Sequence, residues 1–102
     1  MNPLEMLYIP VPDRETGLSL TRLALDQRLA ACGNLHGPIE SLYEWEGEMK
    51  QETEWVLILK TSHERVEKLM EAVESAHPYE CPCVIKLSVA ANKMFAEWVA
   101  DS

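Results

Sequence analysis

Apolar residues along the chain alternate between a spacing of two and a spacing of three to four, and each change of period marks an element boundary. Leu4 to Val11 is short, apolar and closed by Pro12, which predicts a first strand. Asp13 can then cap a helix whose Leu18, Thr21, Leu25, Leu29 and Cys32 fall on one face, with Gly33 as its stop signal. From Ile39 the period is two: Ile39, Ser41, Tyr43 and Trp45 share one face, and Glu40, Leu42, Glu44 and Glu46 the other. Gly47-Glu48 interrupts the run, and Trp55 to Lys60 resumes it, so the two stretches predict a long β-hairpin around Gly47. Thr61-Ser62-His63-Glu64 has the spacing of a capping box, followed by Val66, Leu69, Met70 and Val73 on one helical face. That helix must end before His77-Pro78, because a proline disfavours the helical conformation of the residue preceding it. Val84 to Val89 predicts a last strand, and Asn92 can cap a final helix carrying Phe95, Trp98 and Val99.

The order β-α-β-β-α-β-α predicts an α+β fold of the ferredoxin-like, split βαβ kind, with an extra C-terminal helix and a long central hairpin. Long strands at a sheet edge expose unpaired backbone groups that proteins rarely leave open. The hairpin is therefore expected to pair with other subunits in a closed ring.

Composition narrows the setting. The 102 residues fit one domain, residues 1–102, and 47% hydrophobic with 25% charged residues describes a globular chain. Seventeen acidic against nine basic residues give a formal charge of -8, which argues against nucleic acid and against anionic membranes as partners. No apolar run approaches the roughly 20 residues that span a bilayer. Cys32, Cys81 and Cys83 are an odd number of thiols in a chain with no visible signal peptide, which favours a reducing, cytoplasmic location.

Glycine-rich phosphate loops, paired CxxC motifs, His-Glu-x-x-His and G-x-S-x-G are all absent. The densest chemistry is His77-Pro78-Tyr79-Glu80-Cys81-Pro82-Cys83, stiffened by its prolines. His77, Cys81 and Cys83 could ligate a soft metal, since thiolate and imidazole suit copper and zinc. The alternative is that the thiols are small apolar side chains. Cys32, at the apolar end of the first predicted helix, is open to the same two readings. Lys60, inside an apolar strand, must snorkel or find a partner such as Glu80, or else meet an anion. The glutamates at 40, 44, 46, 48, 52 and 54 read as a solvated strand face, and Trp45, Trp55 and Trp98 as core or interface anchors.

With these elements in place, the chain resembles the divalent cation tolerance protein family, CutA. The resemblance is carried by Leu29-Ala30-Ala31-Cys32-Gly33-Asn34, Ser41-Leu42-Tyr43-Glu44-Trp45-Glu46-Gly47, Leu59-Lys60-Thr61 and His77-Pro78-Tyr79-Glu80-Cys81-Pro82. It implies a ferredoxin-like subunit in a tight homotrimer, linked to copper and other divalent cations, with no catalytic activity and no organic cofactor. It also implies intersubunit clefts near Cys32, Tyr43, Trp45, Lys60, His77, Tyr79 and Glu80. Some members carry a cysteine in the first strand and a second histidine before the His-Pro pair, where this chain has Ile9 and Ala76. Cys83 stands where the family usually has glutamate.

Two functions are therefore expected to compete. One is a trimeric metal-responsive protein with His77, Cys81, Cys83 and Cys32 as ligands. The other is a small-ligand signalling trimer of PII-like architecture, with Lys60 binding an anion beside Tyr79 and Trp98. The second rests on fold-level analogy.

Overall fold

A computed structural model describes all 102 residues as β1 (Asn2–Val11), α1 (Arg14–Asp26), β2 (Cys32–Trp45), β3 (Glu48–Thr61), α2 (Val66–Ala76), β4 (Ile85–Ala91) and α3 (Lys93–Asp101). The strands form one antiparallel sheet in the order β2-β3-β1-β4, the ferredoxin-like arrangement expected. In the central pair, Leu7 lies opposite Leu59 and Ile9 opposite Leu57. These four side chains, with Val11, are fully buried against Leu20 and Ala24 of α1 and Val66, Leu69 and Val73 of α2. Because strand side chains alternate, the even-numbered residues of β1 and β3 point to the opposite face. There α3 covers one end, packing Ala96 and Val99 on Leu4 and Met6. The rest of that face is open, and Ile85 and Leu87, opposite Tyr8 and Met6, remain exposed.

Several boundaries differ from expectation, each for a local reason. Helix α1 stops at Asp26 and does not reach Cys32. Arg28 takes the left-handed conformation (φ 56°), and the N–H groups of Arg28 and Leu29 return to the carbonyls of Leu25 and Ala24. This is a Schellman ending with arginine where glycine is usual, so Gly33 was a misleading stop signal. The buried stripe is Gly17, Leu20 and Ala24, while Leu25 is exposed. At Gly17 the helix passes close over β2, where a Cβ would push the end of the Leu35 side chain aside. Asp13 caps as expected, accepting the Thr16 N–H at 2.7 Å.

Strand β2 begins at Cys32, well before Ile39, and its pairing with β3 shifts between His36 and Ile39. Pro38 has no N–H to give the ladder, so the period of two becomes readable only after it. The expected capping box is not formed: Thr61 ends β3, and its hydroxyl donates to the Leu29 carbonyl at 2.6 Å. Helix α2 instead starts after Arg65, which has no side-chain capping bond. The Arg65 guanidinium donates to Ser62 Oγ (2.8 Å), the Val99 carbonyl (2.6 Å) and the Ser102 carbonyl (2.9 Å), tying the β3–α2 connection to the end of α3.

Truncating Leu59 to alanine removes a fully buried side chain from the central pair. Urea denaturation should report a loss of about 2–5 kcal/mol. A loss under half a kcal/mol would contradict the central role given to this pair.

Candidate functional site

The His77–Cys83 segment leaves α2 and meets the end of β1, at Pro10, and the middle of β3, at Glu54. His77 caps the helix, its N–H bonded to the Val73 carbonyl, and its ring is buried at 7% exposure. Nε2 donates to the Pro10 carbonyl at 2.8 Å, and Nδ1 accepts the Tyr79 N–H at 3.1 Å. The first bond requires the proton on Nε2 and the second requires a free lone pair on Nδ1, so both nitrogens are engaged within the subunit. His77 thus locks the segment to β1 and holds Tyr79, whose ring lies 4.7 Å away centroid to centroid. As folded here, it has no lone pair to offer a metal.

Tyr79 reaches Glu54 of β3, its hydroxyl donating to Oε2 at 2.6 Å. Glu54 is only 8% exposed. Next along the same face, the Tyr43 hydroxyl donates to Glu52 Oε1 across the hairpin. These two carboxylates organise the local electrostatics. The Tyr79 phenol is pushed well above the ordinary tyrosine range, first by burial and then by the bond to Glu54 and its charge. Tyr43 is raised by its bond to Glu52, with burial and the charges of Glu52 and Glu54 adding. The Cys83 thiol is raised by burial, then by the charges of Glu54 and Cys81.

Two members of the expected glutamate face are therefore in fact phenol acceptors, whereas Glu40, Glu44, Glu46 and Glu48 are exposed as expected. The thiols of Cys81 and Cys83 are free and exposed, and Glu80 is exposed with no ion pair or hydrogen bond. No three His, Cys, Asp or Glu side chains within one chain are placed to hold a metal ion.

Lys60 and Cys32 lie elsewhere. They are cross-strand partners on β3 and β2, with Lys60 six positions from Glu54. At about 3.3 Å per residue that is roughly 20 Å along the strand. Lys60 does not meet Glu80. Its ammonium donates to Asn34 Oδ1 and lies 5.9 Å from the centre of the Phe95 ring, which stacks on the half-exposed Trp98. Within one subunit the expected cleft residues therefore separate into two groups, Tyr43, Tyr79 and Glu80 on one side and Lys60 with Trp98 on the other. Tyr43 and Trp45 are both exposed on the hairpin. Cys32 moves from a helix face to an edge strand and does not join His77.

One polar cluster was not anticipated. Glu5, 6% exposed, accepts from Ser88 Oγ at 2.7 Å and faces His63 Nδ1 at 3.3 Å. A carboxylate in the middle of the apolar Leu4–Val11 run was the available signal.

The raised phenols fix the sign of an alkaline pH dependence. The folded state holds the Tyr79 proton more tightly than the unfolded chain, so its contribution is complete below the unfolded pKa of about 10 and fades as pH rises above it. Denaturation midpoints at pH 9 and pH 11 should fall steeply for the native chain and less steeply for Tyr79→Phe. Equal slopes would remove Tyr79 from the linkage.

Comparison with known proteins agrees with this architecture. The family model described as CutA1 divalent ion tolerance protein matches residues 5–102. The chain is 39% identical over 101 residues to the chloroplastic CutA protein of Arabidopsis thaliana, covering 98% of this chain and 56% of the relative. It is 32% identical to the divalent-cation tolerance protein CutA of Thermus thermophilus, covering 96% of both. The chain thus spans little more than half of the plant relative and nearly all of the bacterial one. Among solved structures, CutA1 from Ehrlichia chaffeensis superposes with a TM-score of 0.93 at 33% identity, covering 99% of this chain and 95% of that one. The chain belongs to the CutA1 divalent ion tolerance family.

Proposed function

We propose that this chain acts in divalent cation tolerance by binding soft cations, copper foremost, as a cytoplasmic homotrimer without catalytic activity. The family match over residues 5–102 carries the reading. The ligands are Cys81 and Cys83, two exposed thiols separated by one proline, with the Glu54 carboxylate supplying negative charge nearby. Thiolates favour copper(I) and zinc over magnesium or calcium. A pair of thiols is an incomplete shell, and further ligands come from solvent or from a neighbouring subunit. His77 serves by positioning the segment, and Cys32 is too remote to share an ion with these thiols inside one subunit. A reducing compartment suits three unpaired cysteines.

Assembly is supported by what the single subunit leaves uncovered. The hairpin exposes Leu42, Tyr43, Trp45 and Met49, and the open sheet face exposes Ile85 and Leu87. Edge strand β2 runs 14 residues with backbone groups free on one side.

A second reading, an anion-responsive trimer, is favoured by Lys60 alone, whose ammonium has no carboxylate within salt-bridge distance and sits beside an aromatic pair.

Anaerobic calorimetric titration with copper(I) should show binding that drops by about tenfold or more in a Cys81→Ser, Cys83→Ser double variant and persists in Cys32→Ser. Unchanged affinity in the double variant would overturn the assignment. Light scattering at micromolar concentration should give three times the chain mass, and a stable monomer would remove the trimer.

A further inference from the structure

A cavity of about 440 Å³ opens between the start of β1, the β3–α2 connection and α3, away from the Cys81–Cys83 segment. Its volume is within the range of small-molecule sites, roughly 300–1,000 Å³. Pro3 and Ala100 give it an exposed apolar rim above the buried Leu4, Ala96 and Val99, while Glu5, His63 and Glu64 line its polar side. It contains no lysine or arginine. The adjacent Lys86 is paired with Glu67 at 3.6 Å, and Arg65 is spent on Ser62, Val99 and Ser102.

The two oxygens of Glu5 are held differently. Oε2 takes a short bond from Ser88 on the neighbouring strand, which fixes the carboxylate. Oε1 meets only His63, at a long 3.3 Å, and that imidazole is 83% exposed. Burial alone would raise the Glu5 pKa, but the bonds from Ser88 and His63 and the charge of Lys86 outweigh it, so the net direction is down and the group stays ionised. The result is a fixed, almost fully buried anion beside an apolar rim, with one oxygen covered by a side chain that can swing into solvent at little cost. A metal ion does not suit this geometry, because no three potential ligands converge there.

We propose that this cavity is a binding site for a small organic amine, its ammonium replacing His63 at Glu5 Oε1 and its hydrocarbon body lying against Pro3 and Ala100 at the rim. An ammonium supplies three donors, so it can bond Glu5 Oε1 and keep the others for solvent at the open side. The desolvated carboxylate would discriminate strongly against a neutral ligand of the same shape, since that ligand breaks the Glu5–His63 contact without replacing its charge.

Amide NMR of the whole chain, titrated with 2-phenylethylammonium, tests this directly. Saturable shifts are expected at Glu5, His63 and Ala96, with 2-phenylethanol binding about tenfold or more weakly. Glu5→Gln should weaken the amine by a similar factor, and His63→Ala should leave it undiminished or tighter, because the displaced imidazole is gone. If Glu5→Gln does not fold, Ala100→Trp, at an exposed position on the rim, serves in its place and should abolish binding by filling the mouth. Absence of saturable shifts, equal affinity for the alcohol, or unaltered binding in Ala100→Trp would each overturn the site. The Cys81→Ser, Cys83→Ser double variant should retain amine binding, which separates this site from the cation site.

Discussion

The pairing of β1 with β3 is the constraint on which every other feature depends. Both are central strands, so each of their residues is committed to one of two faces, and the alternation divides the molecule into two cores of unequal size. Leu7, Ile9, Leu57 and Leu59 supply the larger, under α1 and α2. Leu4 and Met6 supply the smaller, under α3. Functional groups then appear where a strand leaves its core. Glu5 and Lys60 lie at the end that α3 covers, and Glu54 lies where β3 passes from the sheet into the hairpin.

Elements whose signal is periodicity could be read from the sequence, and elements set by a single unusual residue could not. The apolar alternation of β1, the hairpin around Gly47 and the Val66–Val73 stripe of α2 all follow from repeated patterns that only one conformation satisfies. The end of helix α1 is not legible in the sequence, because it depends on Arg28 in a left-handed conformation that a non-glycine residue conceals. The start of β2 was hidden by Gly37-Pro38, which interrupts the pairing without ending the strand. In the candidate site, the density of chemistry around His77 was visible in one dimension. The roles were not, because the partners of His77 and Tyr79, Pro10 and Glu54, are distant in sequence.

The same contrast explains why the glutamates of the hairpin divide. All but Glu46, which sits in the turn, lie on strands with the composition of a solvated face, yet only Glu52 and Glu54 have a phenol within reach. A buried carboxylate that accepts a hydrogen bond from a phenol costs far less than one left unpaired. The negative charge retained there then helps to raise Tyr43, Tyr79 and Cys83. A thiol so placed is a poor nucleophile until a cation compensates the carboxylate, so the environment that keeps Cys83 protonated also favours a positively charged guest.

The tip of the hairpin carries a different consequence. Trp45 lies opposite Glu48, leaving only Glu46 and Gly47 to make the turn, both with positive φ (52° and 81°). A turn this tight has no slack, and it sets the register of the two 14-residue strands beyond it. One inserted residue would send Tyr43 to the face opposite Glu52, and everything on β2 would invert with it. Loop tips normally tolerate length variation best. Here an exposed turn is a position where the register of the strands fixes the chain length.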